Sequence, residues 1–227
     1  MRHTVVRLGL LGACLYAARR YYRNWGATKE ECKMALPGDE LVKAPAVQTT
    51  EAVSIDASVD EVWPWLVQMG QDRGGLYSFE ALENLIRLRF RNAHRIHPEW
   101  QRLDVGDAVR LAPEGWMGLR DGVVLRVADL VPKQRIVLRA RPPELPWDSV
   151  WSFHVMPHWE DRCRLVIRRR AGMRHPGEVL AVEFAGPVTA LLTRGMLTGI
   201  KRRAENRRRQ LENEGAATQS RSAEPAR

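Results

Sequence analysis

Along residues 51–88 the spacing of apolar positions switches period, and each switch marks an element. Val53 and Ile55 alternate with Ala52, Ser54 and Asp56, the period of two expected of a half-buried strand. From Ser58 the period becomes helical. Val59, Val62, Trp63, Leu66, Val67 and Gly70 stand at i, i+3, i+4, i+7, i+8 and i+11, so one face is apolar and belongs on a core. Ser58 and Glu61 have the spacing of a capping box, in which the serine oxygen accepts from the third helical amide and the glutamate accepts from the serine amide. Pro64 lacks an amide and crowds the carbonyl of Asp60, which predicts a kink. Gly74 and Gly75 predict backbone that turns sharply or is closely approached. Ser78 is then placed to cap a second helix with a buried stripe of Phe79, Leu82, Leu85 and Ile86.

From residue 107 the period of two returns and persists. Val109 and Leu111, Val123, Leu125 and Val127, Ile136 and Leu138, Trp151, Phe153 and Val155, then Cys163, Leu165 and Ile167 share one parity. The other parity holds Arg110, Arg126, Arg135, Arg139, Arg164 and Arg168, the pattern of an antiparallel sheet with one face on a core and one in water. His154, Met156 and His158 fall on the outward parity. The apolar loop tip at residues 113–118 is either a satellite of the core or the rim of a pocket. A last helix is predicted from near residue 176 to about 212, with a stripe of Val188, Leu192, Met196 and Ile200, a kink or restart at Pro187 and a wholly charged stretch beyond Lys201. Residues 24–48 and 89–106 have no regular period, the former being expected as a wrapping arm. Residues 213–227 are poor in order-promoting side chains and are expected to be disordered.

The chain of 227 residues, 44% hydrophobic, suits one domain with tails. Its net charge of +9 changes meaning once located. Residues 1–26 carry five arginines and no acid, residues 201–227 carry eight basic and four acidic side chains, and the body between them is neutral. Nucleic-acid binding requires a basic patch on the folded surface, so the expected partner is a membrane surface and not nucleic acid. Residues 5–18 are apolar apart from Arg7 and are followed by Arg19, Arg20 and Arg23 among Tyr16, Tyr21, Tyr22 and Trp25. That run is shorter than the roughly 20 residues that span a bilayer. A signal-anchor or interfacial helix over residues 1–23 is the first reading; a cleaved secretory signal, lipidation at the lipobox-like Leu11-Gly12-Ala13-Cys14, and a helix packed on the domain are the alternatives. The expected location is at a membrane, with the body on the cytoplasmic side.

Cys14, Cys32 and Cys163 form no CxxC and have no histidine at ligand spacing, so neither a disulfide framework nor a metal is expected. Gly74-Gly75 lacks the lysine of a phosphate-binding loop, and no cofactor is expected. His94, His97, Glu99 and Tyr77 are the groups to screen for proton transfer, with surface chemistry as the plain reading of the His97 and Glu99 pair. Eight tryptophans and the large apolar residues of the predicted concave face exceed the needs of a closed core. They give a candidate lining for a hydrophobic small molecule or lipid: Tyr77, Trp100, Trp116, Met117, Trp151, Phe153, Leu192 and Met196. The alternative is that these side chains fill the interior.

The element order, with Trp25-Gly26-Ala27-Thr28, Leu36-Pro37-Gly38-Asp39-Glu40-Leu41, Val62-Trp63-Pro64-Trp65-Leu66-Val67-Gln68-Met69-Gly70, Gly74-Gly75-Leu76-Tyr77-Ser78, Glu83-Asn84-Leu85 and Gly199-Ile200-Lys201-Arg202-Arg203, resembles a bacterial branch of the START and birch-pollen-allergen superfamily, also labelled SRPBCC or polyketide cyclase-like. The match covers about residues 24–206. It implies an α+β helix-grip domain over residues 49–212: a curved antiparallel sheet of about six or seven strands around a long C-terminal helix, with two short helices after the first strand. Members of the superfamily resemble containers, so binding or carriage of a hydrophobic molecule is the function expected here. A polyketide cyclase or aromatase-like enzyme and a membrane-tethered interaction module using the charged C-terminal helix are the alternatives. The resemblance brings no catalytic motif onto numbered residues of this chain.

Overall fold

In a computed structural model of the protein, the described residues are 19, 21–142, 145, 147–173 and 175–222, without the side chains of residues 181 and 215–222. The expected apolar segment at residues 5–18, with its lipobox-like motif, and the last five residues of the tail lie outside them. The elements in chain order are α1 (Lys29–Lys33), β1 (Val47–Ile55), α2 (Val59–Val67), α3 (Glu80–Leu85), β2 (Ala108–Ala112), β3 (Val123–Val131), β4 (Arg135–Ala140), β5 (Asp148–Trp159), β6 (Arg162–Gly172) and α4 (Pro176–Ser222). The strands form one antiparallel sheet in the order β1-β6-β5-β4-β3-β2, so the first strand pairs with the last and the edges are β1 and β2. The helix-grip fold is present, with six strands. Met196, Leu197, Ile200 and Ala204 of α4 join Ile55, Leu66, Phe153 and Leu165 in the main core. α4 is one helix through Pro187 and continues to residue 222, past the expected boundary at 212.

The capping box at the start of α2 forms as spaced, the Ser58 amide donating to Glu61 at 2.6 Å. Pro64 is carried inside the helix, and the buried residues are Val62, Trp65, Leu66 and Val67, with Trp63 partly buried against the same core. In α3 the expected stripe holds in part, with Ile86 packed on Leu88, Phe90 and Ala112 and Leu82 half-buried. Phe79 and Leu85 are exposed, no side chain caps the helix, and the fully buried residue is Glu83. Six residues are too few for amphipathic spacing to set a helix's rotation, and here neighbours set it. Tyr77 occupies the left-handed region at φ 60°, its amide donates to Asn92 Oδ1 at 2.5 Å and its hydroxyl to the Trp65 carbonyl at 3.0 Å. Asn92 in turn donates to Glu80 at 2.7 Å and to the Ser78 carbonyl at 3.2 Å. Held through Ser78 and Glu80, the short helix turns Glu83 inward.

Over β1, β6, β5 and part of β4 the convex face of the sheet is not in water either, whereas Arg126 of β3 is exposed as expected. Residues 24–46 lie over it: Leu36 packs on Ala52 and Val166, and Val42 on Val137 and Val150. Gly26 approaches β1 so closely that a Cβ would stand 2.1 Å from the Ala52 carbonyl oxygen. The arginine row fastens this arm. Arg168 is 1% exposed and donates to Thr50 Oγ1, to the Glu31 and Met34 carbonyls and to Asp39 at 2.7 Å. Arg164 donates to both carboxylate oxygens of Glu31 at 2.8 Å, and Arg170 pairs with Asp39 at 3.2 Å. His154 is on the outward parity as expected but buried under the arm, and burial, with Arg168 nearby, pushes its pKa down to about 4.

Candidate functional site

The curvature of the sheet leaves space between its concave face and the N-terminal half of α4. A cavity of about 540 Å³ lies there, beside a second lobe of about 460 Å³; the two share Trp116, Met117, Leu145, Ser149, Arg169 and Thr189 as walls. The lining is mostly aliphatic and aromatic, from Leu76 and Ile86 beside α3 to Leu125 of β3, and from Trp151 of β5 to Leu192 and Met196 of α4. The loop between β2 and β3 forms part of the rim. Trp116 is tied to the end of α3 by donation from Nε1 to the Ile86 carbonyl at 2.8 Å, while Met117 is 80% exposed at φ 50°. Tyr22 and Arg23 stand at the second lobe, where Arg19 and Arg23 both pair with Glu183 of α4.

Of the eight candidate lining residues, Trp116, Met117, Trp151, Leu192 and Met196 are in the cavity wall. Three are elsewhere. Tyr77 is buried under the Arg203 guanidinium, 4.9 Å from its ring centroid, and burial pushes its phenol above the ordinary range. Phe153 is wholly enclosed in the core. Trp100 stacks on His97 at 4.2 Å beside the glycine turn. The groups picked for proton transfer are also outside the cavity: His94 lines a groove with Arg202 and Arg203, and His97 pairs at 3.1 Å with an exposed Glu99. Glu99 is held below its usual pKa by its own backbone amide and then by His97.

The polar groups that do face the cavity are different ones. Glu83 is fully buried in its wall, and neither carboxylate oxygen has a hydrogen-bond partner. Burial, reinforced by Glu80, pushes its pKa up to about 7; the nearby Ser78 hydroxyl, which has a hydrogen to turn toward the carboxylate, offsets part of the shift. Arg169 reaches in from β6, with Thr49 Oγ1 at 3.3 Å and Glu51 at 3.5 Å as its partners. Burial raises Glu51 to about 7 against the pull of Arg169 and Thr193, and its second oxygen is unpaired. The Trp151 indole N–H is also unpaired. Glu51 and Arg169 were detectable in the sequence, because they share parity with Val53 and Ile55 and with Leu165 and Ile167. For Glu83 the local pattern held no such signal. Among the described residues, no group of three metal-ligating side chains occurs.

No protein-family model matches the sequence, and a search of curated proteins finds no significant match. The solved structures similar to this chain include a protein from Thermobifida fusca at 15% identity and TM-score 0.44, covering 70% of this chain and 93% of that one. Norcoclaurine synthase from Thalictrum flavum in complex with dopamine and hydroxybenzaldehyde is similar at 17% identity and TM-score 0.42, over 75% and 94%. The di-domain aromatase/cyclase StfQ of steffimycin biosynthesis is similar at 17% identity and TM-score 0.40, over 74% and 53%.

Proposed function

We propose that the protein binds and carries a hydrophobic small molecule or lipid between the sheet and α4. The observation that carries this reading is the apolar cavity, whose walls leave Glu83, Ser78 and Trp151 Nε1 without partners although buried polar groups are ordinarily satisfied. A ligand that fills the space removes apolar surface from water and offers those groups bonds. The test is displacement of a fluorescent apolar probe, together with mass spectrometry of molecules that copurify with the native protein. Thr189→Phe projects a ring into both lobes and is expected to abolish probe binding while far-UV circular dichroism is unchanged. Undiminished binding by a folded Thr189→Phe variant places the ligand elsewhere.

A membrane surface is the proposed partner and location. α4 contains a stretch, within Pro176–Glu214, long and apolar enough by length and composition to cross a membrane. Its Leu180, Phe184 and Leu191 are exposed next to the cavity, with Phe184 at 86%. Arg19 and Arg23 reach the same part of α4 through their pairs to Glu183. A carrier held there exchanges its ligand with the bilayer. The cyclase-like reading is favoured by one observation, the cavity carboxyl of Glu83 with a pKa near that of a group exchanging protons at neutral pH. A Glu83→Gln variant that retained full turnover of a polyketide substrate would remove that support.

A further inference from the structure

We propose that the cavity recognises an apolar molecule whose polar end donates hydrogen bonds, an alcohol, phenol or amine in place of a carboxylate, and that Glu83 is the residue that receives it. This deepens the cavity-binding reading and rests on it.

Glu83 is fully buried, lines the cavity and keeps both oxygens unpaired. A buried acceptor without a donor is destabilising by about 1–3 kcal/mol, so the group is held in place by its surroundings and not by bonds of its own. The tie from Asn92 to Glu80 and Ser78 supplies that hold and leaves the carboxyl free. The side chains near it cannot satisfy it fully. The Ser78 hydroxyl has one hydrogen to turn toward it, which leaves the second oxygen without a donor, and Glu80, the other acid close enough to act on it, is of like charge. An incoming carboxylate would meet a third acid beside Glu80 and Glu83, which disfavours it electrostatically. Arg169, the cation that lines the same lobe as Glu83, already serves Glu51 and Thr49. A hydroxyl or ammonium group supplies the missing donor, and its apolar remainder faces Leu76, Ile86, Leu192 and Met196. At pH 8, where the Glu83 carboxyl is mostly ionised, hydrogen bonds to it are about twice as strong as neutral ones, so the preference is large enough to measure there.

The experiment compares 1-decanol, decylamine and decanoate as competitors of the fluorescent apolar probe, below their aggregation concentrations, with the wild-type protein and with Glu83→Met and Glu83→Gln. The three chains are matched, so only the head differs. Wild type is expected to bind decanol and decylamine at least about tenfold more tightly than decanoate. Glu83→Met, which removes every polar atom at similar volume, is expected to level the three affinities; Glu83→Gln, which keeps an acceptor without the charge, is expected to weaken decylamine more than decanol. Removal of an unsatisfied buried carboxyl leaves the fold intact or firmer, and thermal unfolding checks this. If decanoate binds as tightly as decanol, or Glu83→Met leaves the ranking unchanged, the inference falls while cavity binding stands. If none of the three displaces the probe and Thr189→Phe does not affect it, both readings fall together.

Discussion

Gly199 of α4 stands against the backbone of Tyr77, so near that a Cβ at Gly199 would fall 1.9 Å from the Tyr77 carbonyl oxygen. This contact seats the long helix on the turn that carries Ser78 and, two residues later, α3. The Gly74-Gly75-Leu76-Tyr77-Ser78 and Gly199-Ile200 stretches are therefore two halves of one joint.

Gly199→Ala is expected to destabilise the protein by about 2 kcal/mol. Alanine in a helix interior is favoured over glycine by about 1 kcal/mol, but forcing a methyl group against backbone costs more than that gain returns. The tyrosine already sits in the left-handed region, so its carbonyl has little room to retreat. Urea unfolding measures the loss; a variant as stable as wild type would show that the joint is not tight.

Arg168→Met is expected to destabilise by about 3 kcal/mol, because it removes the buried donor to Thr50 and to two arm carbonyls and leaves the Asp39 carboxylate with Arg170 as its remaining cation. Arg126→Met, at an exposed position of the sheet, is expected to change stability by less than about 0.5 kcal/mol. The contrast is read by thermal unfolding and by proteolysis of residues 24–46, which should accelerate only in the Arg168 variant.

The Glu83 carboxyl, with an ordinary value of 4.5 and a folded value of about 7, gives stability a pH dependence of defined sign. Below pH 4.5 it is protonated in both states and contributes no difference. Between 4.5 and 7 the folded protein keeps a proton that the unfolded chain releases, so its contribution falls as pH rises and levels off above 7. Glu83→Gln should therefore gain on wild type from pH 4.5 to 7, by about 2 kcal/mol once the solvent access of an open cavity is allowed for. Glu51 acts in the same direction, and His154, with a pKa near 4, in the opposite one up to pH 6.5. The readout is accordingly the difference between Glu83→Gln and wild type at each pH, and a constant difference would contradict the assignment.

Membrane association is expected to depend on the exposed face of α4. The full chain should float with anionic liposomes at low salt, and a Leu180→Ser, Phe184→Ser double variant should float several-fold less, since each loses apolar area that would otherwise leave water. A chain beginning at Asn24 separates the two contributions. If it and the full chain both stay in the soluble fraction, neither the N-terminal segment nor the stripe is a membrane contact.

Elements decided within a few residues of chain were legible in the sequence. The Ser58 and Glu61 box, the alternation of β2 to β6 and the helical stripe at Met196 and Ile200 each depend on spacing alone, and together they specify a sheet and a helix to cover it. Arg164 and Arg168 alternate with apolar residues, and that pattern has the same form whether water or an arm lies outside. Only the arm's arrival, which brings Asp39 to Arg168 across 129 residues, decided that the row is buried. The cavity's chemistry is of the same kind. Glu83 belongs to a helix too short to orient itself, and it faces inward because Asn92 fixes Glu80 and Ser78 from 12 and 14 residues away. Local spacing determined which elements form; burial of charge was settled by partners distant in the chain, because desolvation depends on everything that surrounds a group and not on its neighbours in sequence.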